Sequence, residues 1–151
     1  MINIYNIQTS FGLEVPDKIS LNIYFSGCKN NKHCDRDKCQ NKDLLSFKNG
    51  THYTSFLRII EKYLRQKNFI ECVCFLGGEP LDQDLHSFQE ITNYIRQIRQ
   101  DILFYCYSGY DIEDKKDHIL TYTNTLGFTD IFIGHFSENS NNQYWLYNTI
   151  N

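Results

Sequence analysis

Residues Phe69–Pro80 read FIECVCFLGGEP, and the fold turns on this stretch. The run FIECVCFL is mostly apolar and of strand length, the pattern expected where both faces of a parallel sheet are covered. It stops at Gly77-Gly78, two residues able to take φ > 0 and to let backbone approach a ligand closely. Glu79 then offers a carboxylate to a cationic group. By itself, Gly-Gly-Glu-Pro also reads as ordinary strand-end punctuation.

Upstream, Asn3 to Ile7 alternates polar and apolar residues and predicts a short first strand, with a loop from Gln8 to Val15. Ile19, Leu21, Ile23 and Phe25 alternate with Ser20, Asn22 and Tyr24, the period of two of a half-buried strand. Thr54 is a candidate N-cap for a helix whose apolar face is Phe56, Ile59, Ile60, Tyr63 and Leu64. Downstream, Phe88, Ile91, Ile95 and Ile98 mark a second amphipathic helix from Leu85. Ile102 to Tyr107 reads as a strand running into Ser108-Gly109. A third helix is predicted from Ile112 to Leu126, with Gly127 just past its end, and Thr129 to Ile133 is a further strand. Strands alternating with helices in this way predict βαβ units with right-handed crossovers in a parallel sheet.

In such folds ligands gather at the C-terminal ends of the strands. Three segments should therefore share one crevice: Gly27–Asn41, Gly77–Pro80 and Tyr107–Tyr110. The first reads GCKNNKHCDRDKCQN and holds three of the six cysteines, Cys28, Cys34 and Cys39. Thiolates are soft ligands that select zinc, copper(I) or iron–sulfur clusters. A structural zinc site closes with four protein ligands, so three cysteines point to a site with an open position. His33 could supply a fourth ligand, which leaves a zinc-stabilised binding module as an alternative. Cys72, Cys74 and Cys106 lie on strand-like runs and read as small core hydrophobes. The histidines are dispersed, with the surface as their default.

Composition narrows the class. With 151 residues, 41% hydrophobic and 15% aromatic, the chain is expected to form a single packed domain over residues 1–151. A net charge of −3 leaves no electrostatic footprint for nucleic acid or an anionic membrane. The N-terminus MINIYNIQTS lacks the pattern of a secretory signal, so a cytoplasmic location is expected. In that reducing compartment the cysteines read as ligands or core rather than disulfides. The aromatic run Tyr144–Tyr147 has two readings, cover for an open sheet edge, which is preferred, or a docking patch.

The three-cysteine loop after one strand and Gly-Gly-Glu-Pro after the next resemble the radical S-adenosylmethionine superfamily. The chain is most similar to the activating enzymes of anaerobic ribonucleoside-triphosphate reductase. Ser26-Gly27-Cys28, Cys39-Gln40-Asn41, Gly77-Gly78-Glu79-Pro80, Tyr107-Ser108-Gly109-Tyr110 and Asn142-Gln143 each stand where that family shows a similar run. The resemblance implies an α/β fold, a partial (open) parallel βα barrel of the radical S-adenosylmethionine type. It implies a [4Fe–4S] cluster on Cys28, Cys34 and Cys39, with S-adenosylmethionine on the remaining iron. Gly77, Gly78 and Glu79 would bind the methionine amino end, and Lys38, Asn41 and Ser108 are further cofactor contacts. Reductive cleavage would yield a 5′-deoxyadenosyl radical that abstracts hydrogen from a glycine of the partner, an anaerobic ribonucleotide reductase. A flavodoxin- or ferredoxin-type donor would supply the electron. No residue is given an acid or base role, because the cofactors carry this chemistry.

The chain departs from the family in several places. The superfamily spacing is C-x3-C-x2-C, whereas this chain reads C-x5-C-x4-C; added residues in a surface loop cost little closure entropy. Lys38 replaces the usual aromatic residue, Ile133-Gly134-His135-Phe136 stands where an Asp-Gly pair is usual, and Tyr144 replaces an arginine. A chain this short leaves little room for a substrate domain, which favours a protein partner. A radical enzyme acting on another protein, peptide or small molecule is the nearest alternative.

Overall fold

The computed structural model of the chain describes residues 1–29, 39, 42–137 and 142–150. Asn3–Phe11 (β1) and Ile19–Phe25 (β2) pair antiparallel, from Ile4 opposite Phe25 to Phe11 opposite Ile19. β1 thus runs past Ile7, where the alternation stops. Polar contacts carry the extension: the Asn22 amide donates across to Ser10 Oγ (2.8 Å), while within β2 the Ser20 hydroxyl donates to Asn22 Oδ1 (2.7 Å), a pairing that hydropathy does not register.

Thr51–His52 (β3) pairs with the other side of β1. A 3-10 turn over Tyr53–Phe56, capped by the His52 ring, which accepts the Thr54 N–H at 3.4 Å, leads into Leu57–Gln66 (α1); α1 follows Phe56 with no side-chain cap, so Thr54 is not its N-cap. Then follow Cys72–Gly77 (β4), Leu85–Ile98 (α2), Leu103–Tyr107 (β5), Ile112–Leu126 (α3), Asp130–Ile133 (β6) and Tyr144–Trp145 (β7). Asp84 caps α2 through the Ser87 N–H (3.0 Å). Gly127 ends α3 at φ 74°, a left-handed conformation that glycine adopts without a Cβ clash.

The sheet order is β3-β1-β2-β4-β5-β6-β7. β2, β4, β5 and β6 are parallel, whereas β1, β3 and β7 add antiparallel. This corrects the expected partial parallel barrel: the fold is α/β, but its sheet is open and mixed. The cause is local. β1 and β2 are joined by a hairpin, not a helix, with the Gly12 N–H donating to Lys18 O at 2.9 Å, and a hairpin produces only antiparallel pairing. Both edges then end in two-residue strands, so the chain is too small to close a barrel.

Side-chain alternation sorts the core. Leu21, Ile23, Phe25, Val73, Phe75, Phe104 and Cys106 point to one face, where they pack with Ile60 and Leu64 of α1, Phe88, Ile91 and Ile95 of α2, and Ile119 and Leu126 of α3. Phe88 meets Phe25 and Phe75 edge-on, at 4.9 Å between centroids in each pair. The opposite face carries Cys72, Cys74, Leu76 and Tyr105, covered by Val15 from the hairpin turn and Ile150 from the tail. β7 covers the edge of β6. Trp145 stands edge-on to Tyr105 and Tyr107, and the buried Asp130 accepts the N–H groups of Tyr147 and Thr149, each at 2.8 Å. Among the described residues no helix is long and apolar enough to cross a membrane.

Candidate metal centre

The C-terminal ends of β2 and β4 lie side by side because the two strands are paired in register through Phe25 and Gly77. The chain leaving β4 folds back onto the chain leaving β2. The Gly78 N–H donates to Phe25 O (2.9 Å) and the Glu79 N–H to Gly27 O (2.8 Å). A Cβ on Gly78 would sit 2.3 Å from Gly27 O and 2.6 Å from Leu44 O. Glycine is needed there because three backbones converge, whatever is bound.

Cys28 follows directly. Its N–H donates to Leu45 O (3.1 Å), the Gly27 N–H to Leu44 O (2.7 Å) and the Lys29 N–H to Asp82 Oδ2 (2.7 Å). Cys28 and Cys39 are both half-buried. Cys34, Lys38 and Asn41 lie outside the described residues. Among the described residues, no three His, Cys, Asp or Glu side chains converge as a metal site. Cys72, Cys74 and Cys106 are fully buried, and burial pushes the Cys72 thiol up to about 12 and the other two well above the ordinary range. They are core thiols, not thiolates.

Glu79 and Ser108, from different strand ends, do meet. The Glu79 carboxyl is buried and accepts from Leu81 N–H (3.0 Å), Gly109 N–H (2.7 Å) and the Ser108 hydroxyl (3.1 Å). Burial is the largest influence and raises its pKa to about 8 against these donors. Ser108 Oγ also accepts the Tyr110 N–H (3.1 Å). Gly27, Glu79 and Ser108-Gly109, from three strand ends, are thus in hydrogen-bond contact, with Glu79 tying the end of β4 to that of β5.

Two polar residues here, Asp82 and Gln83, were not singled out by the sequence reading. Asp82 accepts from Lys29 and also from the Tyr110 hydroxyl. The Tyr110 phenol is pushed up, first by burial and then by Asp82. The Gln83 amide reaches back to Ser26, Gly27 and Glu79. Their one sequence signal is an unbroken polar run, Asp82-Gln83-Asp84, just past a strand end. At the far end of the sheet His135 is not a surface residue by default. Its Nδ1 is 2.9 Å from the Asp111 carboxylate and its Nε2 2.9 Å from the Asn142 amide.

The model of the 4Fe-4S single cluster domain matches residues 18–148, from the start of β2 to beyond β7. The chain belongs to that family. No curated protein and no solved structure matches it. The donor chemistry of this 4Fe-4S single cluster domain fits its cofactor. Clusters are held by cysteine thiolates, and Cys28 and Cys39 are half-buried cysteines of one loop, the first of them on a backbone fixed by hydrogen bonds on both sides.

Proposed function

We propose that the protein reductively cleaves S-adenosylmethionine at a [4Fe–4S] cluster and so installs a glycyl radical on an anaerobic ribonucleotide reductase. A flavodoxin- or ferredoxin-type protein is the electron donor in this reading. The observation that carries it is the direct seating of the Gly77-Gly78-Glu79 turn on the base of the cysteine loop, with the Glu79 N–H on Gly27 O at 2.8 Å. In this reading Cys28 is a cluster ligand and the turn takes an amino-acid group, and the contact with Gly27, the residue before Cys28, supports the two acting together.

Cys28, Cys34 and Cys39 would hold three irons and leave the fourth for the amino and carboxylate groups of S-adenosylmethionine. When bound and reduced by the donor protein, the cluster would supply the one electron that splits a carbon–sulfur bond of the sulfonium, giving methionine and a 5′-deoxyadenosyl radical able to take hydrogen from a glycine. The chain binds and orients. Gly77 and Gly78 bring backbone close to the methionine end. Glu79 faces inward and is held by Gly109 and Ser108, and an ammonium beside it would favour its ionised form. Ser108, Lys38 and Asn41 are the further contacts.

Anaerobic reconstitution tests the reading. The loaded protein should be brown, with broad visible absorption, and should form 5′-deoxyadenosine under reduction; Cys34→Ala should lose both. Activity retained in that variant would overturn the ligand set, and a colourless protein that binds zinc would return the loop to the zinc reading. If 5′-deoxyadenosine forms but a co-expressed reductase shows no glycyl radical signal, the activase assignment fails while cofactor cleavage stands.

A further inference from the structure

Cys28 is flanked on both sides by tethers from one dipeptide. Gln83, 1% exposed, places Nε2 within 3.3 Å of Ser26 O, 3.3 Å of Gly27 O and 3.1 Å of Glu79 O. Three carbonyls converge on this nitrogen, so the opposite amide orientation would set oxygen against oxygen. Gln83 Oε1 is buried without a hydrogen-bond partner among the described residues. An apolar side chain would avoid that cost but would withdraw the donor shared by these carbonyls. The residue is therefore better explained by what its nitrogen holds than by its contribution to core stability.

On the other side of Cys28, Asp82 Oδ2 accepts the Lys29 N–H at 2.7 Å, and Oδ1 is held by the hydroxyl of Tyr110, itself 8% exposed. The Gln83 carbonyl is anchored in turn by the Tyr122 hydroxyl at 2.6 Å. Residues 26, 27 and 29 are thus all clamped by Asp82-Gln83, at the end of the turn that begins with Gly77-Gly78-Glu79.

We infer that Asp82 and Gln83 are positioning residues for the cluster, Gln83 by fixing the backbone that presents Cys28 and Asp82 by fixing Lys29 and so setting a carboxylate on the residue that follows Cys28. This rests on the cluster reading above. Groups that orient a metal's ligands matter nearly as much as the ligands, and cluster potential responds to nearby charge and hydrogen bonding. Asn at position 82 can still accept from Lys29 while meeting the Tyr110 oxygen with its amide, so Asp82→Asn removes charge with little change of shape.

The test uses the full chain reconstituted anaerobically as wild type, Asp82→Asn and Gln83→Leu, with iron and sulfide content, resistance to a chelator, midpoint potential and the spin-resonance spectrum of the reduced cluster. Asp82→Asn is expected to load fully but with a raised midpoint potential. Gln83→Leu is expected to lose its cluster to a chelator about tenfold more readily. Thermal unfolding of the metal-free proteins separates these effects from loss of fold, and Asp82→Asn decides the matter if Gln83→Leu does not fold. Wild-type potential and spectrum in Asp82→Asn, with wild-type retention wherever Gln83→Leu folds, would overturn the inference while leaving the cluster intact. A wild type that loads no cluster would remove the reading beneath it.

Discussion

At the ends of β2 and β4 backbone packs on backbone, whereas at the end of β6 side chains face one another across an open cleft. The first region has Gly78 pressed between Gly27 and Leu44, and Glu79 buried with donors on both oxygens. The second has a cleft of about 590 Å³ lined by Asp111, Glu113, Asp114, His135, Asn142 and Gln143. Tight backbone packing leaves few alternatives and fixes the backbone on both sides of Cys28. Pairs of polar side chains can rearrange at little cost. Changes at the first end should therefore be expensive, and at the second end cheap.

The largest effect expected is pH-dependent. Glu79 in the folded chain titrates near pH 8, against an ordinary value of 4.5. Between these values the folded chain holds a proton that the unfolded chain has lost, so stability falls as pH rises, by up to about 1.4 kcal/mol per pH unit. Denaturant midpoints of the metal-free protein from pH 5 to about 8 should show this decline, and Glu79→Gln should flatten it. A wild type without slope would mean that the carboxyl is not sequestered.

Next comes Gly78→Ala, whose added Cβ would collide with the carbonyl oxygens of Gly27 and Leu44. A destabilisation of about 2–3 kcal/mol is expected, together with weakened cluster loading; an unchanged denaturation midpoint would show that the two loops are not pressed together. The smallest effect is expected at the open end. Asp111→Asn replaces one member of a partly exposed pair, with side chains 23% and 14% exposed for His135 and Asp111, and should move stability by no more than about 1 kcal/mol without altering cluster absorption. A large loss there would erase the contrast.

Much of the secondary structure could be read from periodicity. β2, α2 and α3 begin and end where alternation and the 3.6-residue stripe place them, because the apolar side chains of each fall on the face that packs in the main core. The second half of β1 could not, since Ser10, Ser20 and Asn22 hold it by polar pairing. Nor could β3 or β7, two residues each, too short for any period. For the candidate site, residue type and order pointed to Cys28, Cys39, Gly77, Gly78, Glu79 and Ser108. Asp82 and Gln83 escaped because their role depends on which carbonyls and N–H groups the fold brings within reach.

By itself, then, the sequence determined the order of the parallel strands and the helices between them, and which loops leave the C-terminal ends of those strands, since both follow from local hydropathy and turn chemistry. Only the tertiary structure decided that the sheet stays open and mixed, because pairing direction depends on the hairpin and the tail finding particular neighbours. It also decided that Glu79 turns inward, between β4 and β5, where burial outweighs the donors around it. The Gly-Gly-Glu-Pro turn is visible in the chain, but its contact with the base of the cysteine loop exists only because β2 and β4, separated by a crossover, lie side by side.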